Sequence, residues 1–146
     1  MFELGTDGPL VIVAGIDGSD TSMRAAAYAW GLGRRQGAKV VFGYIRPFSI
    51  GAPSAGAAMA QLGHDIAAEL EQQIRVGIER SPEGHRARWE FQTGDGDAYH
   101  GLVELADRLK ADAVVIGASQ KAGHRILGSV AIKLVKAGRW PVTVVP

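Results

Sequence analysis

Two short stretches carry groups of the kind that hold a small polar ligand, and the second of them is suited to an anion. The first is Asp17-Gly18-Ser19, a carboxylate and a hydroxyl on either side of a glycine. The second runs from Gly117 to the pair Gly128-Ser129. Gly117 has no Cβ, so its backbone can approach a ligand closely. Gly128-Ser129 reads as a helix start, where free N–H groups and the helix dipole favour negative charge, and Ser129 adds a hydroxyl. Lys121, His124 and Arg125 lie between them and would act on an anion by charge. The chemistry this set supports is non-covalent capture of a phosphate-like group. Each residue also has a structural reading. Asp17 could brace a turn, Gly128 could serve close helix–strand packing, and the basic residues could be a solvated loop.

Covalent and metal chemistry find less support. There is no cysteine, so thiol catalysis, disulfides and cysteine metal sites are excluded. The four histidines are scattered; His64, His85 and His100 read as surface residues. Asp95 and Asp97 are close, but they sit in Gly94-Asp95-Gly96-Asp97, which reads as a turn with too few oxygen ligands for a metal. No G-x-x-x-x-G-K-[ST] loop and no G-x-S-x-G elbow occurs. No nucleophile has a credible base beside it. The expectation is a binding protein rather than an enzyme.

The elements that must position these residues alternate in type. Residues 10–16 (LVIVAGI) form a continuous apolar, β-branched run, as in a strand covered on both faces. A helix over 21–36 follows, capped by Ser19 or Asp20 and ended by Gly37, with Met23, Ala26, Ala27 and Trp30 on its apolar face. Lys39–Arg46 is a second strand. The Gly, Ala, Ser and Pro of 47–58 predict a mobile loop, and Leu62, Ile66, Leu70, Ile74 and Ile78 a helix over 59–79. Residues 86–92 alternate, with Ala87, Trp89 and Phe91 on one face, which predicts an edge strand. Asp97 could cap a helix reaching Lys110 with Leu102, Leu105, Ala106 and Leu109 inward. Ala113–Gly117 is a fourth strand, 118–127 a polar loop, 128–137 a helix stopped by Gly138, and Val142–Val145 the last strand.

Strict β-α alternation predicts an α/β fold: an open five-stranded parallel sheet with helices on both faces. The expected strand order is 3-2-1-4-5. Its switch point falls between strands 1 and 4, and ligands bind outside the strand ends there. The loops at that point are Asp17-Gly18-Ser19 and residues 117–129. The length of 146 residues suggests one domain over 1–146. Sixteen basic against 15 acidic residues leave a net charge of +1, so neither nucleic acid nor an anionic membrane is an expected partner. No signal peptide or membrane span is read, and the expected location is cytoplasmic.

The residues that line this expected crevice resemble those of the universal stress protein family. Val13-Ala14-Gly15-Ile16-Asp17-Gly18-Ser19 resembles its opening signature. Residues 117–130, then Trp140-Pro141-Val142-Thr143-Val144-Val145, resemble its closing one, and 94–117 is similar to the turn, helix and strand between. The resemblance covers essentially the whole chain. It implies a Rossmann-like, adenine-nucleotide α-hydrolase-like fold and a stress-response role. The implied nucleotide site comprises Gly15, Ile16, Asp17, Ile45, Gly117, Gln120, Gly128, Ser129 and Val130. By the same resemblance, Asp17 would accept from the ribose or adenine end and Ile45 would pack on the base. Gly117 would lie under sugar and phosphates, and Ser129 with the Val130 amide would meet a phosphate.

ATP-binding members carry Gly, two residues, Gly, nine residues, Gly, then Ser or Thr. Here Gly117, Gly128 and Ser129 match, Gln120 replaces the middle glycine, and two residues are missing before Gly128. The resemblance implies ATP with magnesium as ligand, and cyclic AMP as one that a shorter loop would admit. The departure leaves open a member that binds no nucleotide and acts through protein contacts. The family also implies a homodimer through Val142–Val145, an apolar strand at the open end of the sheet. Which face of that strand meets the partner is open.

Overall fold

A continuous apolar strand has two faces to hide, and this fold hides both. The computed structural model describes residues 8–47, 53–121 and 124–146, and only the backbone of 53–55, 120, 121 and 124–126. Strands β1 (Val11–Gly15), β2 (Lys39–Arg46), β3 (Trp89–Asp95), β4 (Ala113–Gly117) and β7 (Val142–Val145) form one sheet in the order β3-β2-β1-β4-β7. Every pairing in it is parallel. The order 3-2-1-4-5 is therefore observed, with β7 as the fifth strand. Between the strands run α1 (Asp20–Gln36), α2 (Pro53–Glu79), α3 (Ala98–Leu109) and α4 (Ser129–Ala137).

Alternation along the strands splits the core in two. Ile12, Ala14, Val40 and Phe42 pack with Ala25, Ala29, Leu70 and Ile74 of α1 and α2. Val13, Val41, Val114 and Ile116 pack with Leu102, Leu105, Ala131 and Leu134 of α3 and α4. Trp89 meets Phe42 edge to face at 6.2 Å. The Asp112 carboxylate pins the entry to β1, accepting from the amides of Leu10 and Val11 at 2.8 and 2.9 Å. Leu10 itself stays 67% exposed, so β1 starts one residue later than expected.

Six expectations change. Helix α2 begins at Pro53, inside the stretch read as a loop, because proline suits a first helical turn and alanines follow it. Residues 48–52 lie outside the described residues. On the same helix Leu62 is 50% exposed, so the inward stripe begins only further along. Strand β3 is shifted from 86–92 to Trp89–Asp95: Arg86 instead donates to the Ser81 and Glu79 carbonyls, closing the end of α2. Gly94 and Asp95 belong to this strand rather than to a turn, because Arg46 of β2 grips the Asp95 carboxylate through two nitrogens at 2.7 and 3.0 Å. The polar loop after β4 contains an antiparallel hairpin, β5 (Ser119–Lys121) with β6 (His124–Ile126). On α1 the buried face is Ala25, Ala26 and Ala29, while Ala27 is exposed.

Candidate functional site

The parallel sheet brings all its carboxyl ends to one edge, and where the order reverses between β1 and β4 the covering helices diverge. A half-open cleft of about 420 Å³ lies there. This is at the small end of the roughly 300–1,000 Å³ of ordinary small-molecule sites. Its floor comes from the strand ends: Gly15, Ile16 and Asp17 after β1, Gly43 and Ile45 of β2, and Ile116, Gly117 and Ala118 after β4. Three helices point their N-termini at it. Ser19, Thr21 and Ser22 come from α1, Ala98 and Leu102 from α3, and Gly128, Ser129, Val130 and Ala131 from α4.

The first of these starts is held by its own side chains. The Ser19 hydroxyl accepts from the Ser22 amide at 3.3 Å, which fixes Ser19 as N-cap. The Ser22 hydroxyl donates to the Ser19 carbonyl at 3.0 Å and accepts from the Asp17 amide at 3.2 Å. The Thr21 hydroxyl, buried, donates to the Ala118 carbonyl at 2.6 Å and so ties α1 to the chain leaving β4. The Asp17 carboxylate accepts from the Ser19 amide at 2.9 Å. Partial burial raises its pKa, but the bonds from Ser19 and Ser22 outweigh that, and the carboxyl is held below its ordinary value. Asp17 is thus an anion at neutral pH, exposed at the mouth of the cleft.

Helix α3 is capped by Asp97, which accepts from the His100 amide at 3.1 Å and contacts its ring nitrogen at 2.9 Å. These bonds to His100 hold the Asp97 carboxyl below its ordinary value. Helix α4 is different. Its N-cap is Gly128, and among the described residues no side chain caps it. Among the described residues no side-chain acceptor meets its leading amides, which face the cleft, the arrangement that favours an anion.

Two glycines prove to have packing reasons. A Cβ on Gly117 would lie 2.5 Å from the Thr21 carbonyl carbon and 2.6 Å from the Ser22 amide, so its absence lets α1 press against β4. A Cβ on Gly128 would lie 2.9 Å from the Ser119 Cβ. Both still line the cleft, but neither is spare room waiting for a ligand.

Eight residues singled out from sequence meet here: Gly15, Ile16, Asp17, Ile45, Gly117, Gly128, Ser129 and Val130. The side chains of Gln120, Lys121, His124 and Arg125 lie outside the described residues. Sequence reading missed Thr21, Ser22, Ser119 and Ala98 as lining residues, while Ser19, read both as part of the switch-point loop and as a cap, does line the cleft. The hydroxyl-rich run Ser19-Asp20-Thr21-Ser22, directly after the strand at the switch point, was the available signal.

Comparison with known proteins bears on the fold and the family. The chain is 31% identical over 139 residues to universal stress protein MJ0531 of Methanocaldococcus jannaschii, covering 92% of this chain and 80% of that one. Its fold is similar to that of universal stress protein UspA from Lactobacillus plantarum, with a TM-score of 0.81 at 20% identity over 93% and 97% of the two chains. It is also similar to a universal stress protein solved in complex with cAMP, with a TM-score of 0.64 at 25% identity over 94% and 96%. The universal stress protein family profile matches residues 10–146, and the chain belongs to that family.

Proposed function

We propose that this protein binds an adenine nucleotide in the cleft and works as a cytoplasmic, dimeric stress-response protein by binding rather than by catalysis. The observation that carries the reading is the uncapped N-terminus of α4 facing a cleft that also holds an ionised Asp17 and an apolar wall of Ile45 and Leu102. The ends of a nucleotide ask for these environments: amide donors for phosphate, a carboxylate for ribose or adenine donors, and an apolar surface for the base. Among the described residues no three histidines or acids converge on a metal. Magnesium would therefore arrive with ATP, held by phosphate oxygens and water, with Asp17 as the one carboxylate on the described lining. The modest volume and the hairpin β5–β6 in place of a glycine loop favour a short phosphate group, as in AMP or cyclic AMP, over a triphosphate. The relative solved with cAMP supports the same class.

The dimer would form along β7. All four of its residues are half-buried, and within the described sheet it pairs on one side only, with β4. Such an edge invites a second strand. Beside it α4 leaves Ile132 and Val135 exposed at 37% and 55%. A second reading, a protein that binds partners without nucleotide, draws on the same hairpin.

Mass spectrometry of nucleotide released from the denatured protein, followed by calorimetric titration of ATP, AMP and cyclic AMP, tests the site. The expected result is micromolar binding, reduced about tenfold in Ser129→Pro, which removes one amide donor. No carried nucleotide and no heat at millimolar ligand would leave the partner-binding reading.

A further inference from the structure

Lys133 stands one helical turn beyond Ser129 on the same face of α4, since residues four apart in a helix share a face. Four residues rise only about 6 Å. A lysine side chain leans toward the N-terminus of its helix, and its stem spans that distance. The Lys133 ammonium lies 5.8 Å from the centroid of the Tyr99 ring. Tyr99 is half-buried and, like Val130, packs against the core beneath α3 and α4; it directly follows Ala98, a residue of the cleft wall. Among the described residues Lys133 makes no ion pair. The nearby acid that feels its charge is Asp97, whose carboxylate is already engaged by His100. A cation resting on an aromatic face is held by only about 0.5–1 kcal/mol at an exposed site, so it leaves readily for a stronger anion.

We propose that Lys133 is the counter-cation of the cleft: it leaves the Tyr99 ring to meet the phosphate of a bound adenine nucleotide and reads how much charge that phosphate carries. This rests on the nucleotide reading of the cleft. The α4 amides recognise a phosphate by geometry and the mobile ammonium by charge. The contribution of Lys133 therefore grows from adenosine, which has no phosphate, through AMP to ATP.

The test is calorimetric titration of adenosine, AMP and ATP into the wild type, Lys133→Gln and Lys133→Arg, without magnesium and at two salt concentrations. Lys133→Gln is expected to weaken ATP by about tenfold and AMP by about threefold, to leave adenosine within about twofold, and to reduce the salt dependence of ATP binding. Lys133→Arg restores most of the loss, because charge and stacking on Tyr99 are kept. Equal weakening of all three ligands would make Lys133 a structural residue and overturn the proposal. If the wild type binds ATP and Lys133→Gln binds it equally, Lys133 alone is excluded and the nucleotide site stands. If the wild type binds none of the series, the nucleotide reading falls and Lys133 with it.

Discussion

Asp17 shows how one residue can serve the fold and the site at once. Its carboxylate accepts from the Ser19 amide and so shapes the turn that starts α1, while it stays exposed at the cleft mouth. Hydrogen bonds hold its pKa below the ordinary 3.8, so the folded state binds this proton less readily than the unfolded chain does. A depressed carboxyl contributes stability above the unfolded value, and that contribution is lost as pH falls through the folded one. Asp17→Ala should therefore cost about 1 kcal/mol in denaturant unfolding at neutral pH. The gap from wild type should close as pH drops through 3.8 and below. A gap that persists unchanged in acid would mean that packing, not the charged acceptor, is what the variant removes. That Asp17 stands at the cleft was legible from its place after β1. The net of Ser19 and Ser22 around it was not, because those hydroxyls find their partners only once the chain has turned.

At the scale of elements, the contact that builds the cleft is α1 against β4. The Thr21 hydroxyl bonds to the Ala118 carbonyl, and the bare Cα of Gly117 receives the backbone of Thr21 and Ser22. In Gly117→Ala the new methyl meets backbone, which cannot rotate away. The variant should lose about 1–3 kcal/mol and open the angle between α1 and the sheet. Gly77, inside α2, has nothing within 4 Å of where a Cβ would sit. Gly77→Ala should stabilise by about 0.5–1 kcal/mol through helix propensity alone. Thermal unfolding of the pair checks both, and similar shifts in one direction would refute the packing argument. Strands β2, β4 and β7 stand at the residues that their apolar runs predict; for β2 and β4 the reason is that strands buried on both faces leave unbroken signatures. The edge strand β3 and the start of α2 differ, because what sets them lies outside their own sequence: the grip of Arg46 on Asp95, and a helix whose first turns carry little to bury.

For the whole molecule, the proposed dimer turns on which side of β7 would meet a partner. Val142 and Val144 pack toward α3 and α4, and Val145 toward α1 and α2. The exposed Ile132 and Val135 extend the apolar surface on the α4 side. Val135→Lys, at a residue 55% exposed, should keep the thermal midpoint and convert a dimer to a monomer in light scattering at micromolar protein. A variant that stays dimeric would remove α4 from the interface, and a wild type that is monomeric would remove the dimer. The sequence by itself determined the layered α/β order, the strand sequence across the sheet and the two loops at its switch point, because burial period and crossover handedness are local and general constraints. Only the tertiary structure decided that Gly117 is a packing glycine, that side chains cap α1 and α3 while no described one caps α4, and that Lys133 rests on Tyr99. Those depend on which backbones come within bonding distance, and that distance is set by how the helices settle on the finished sheet.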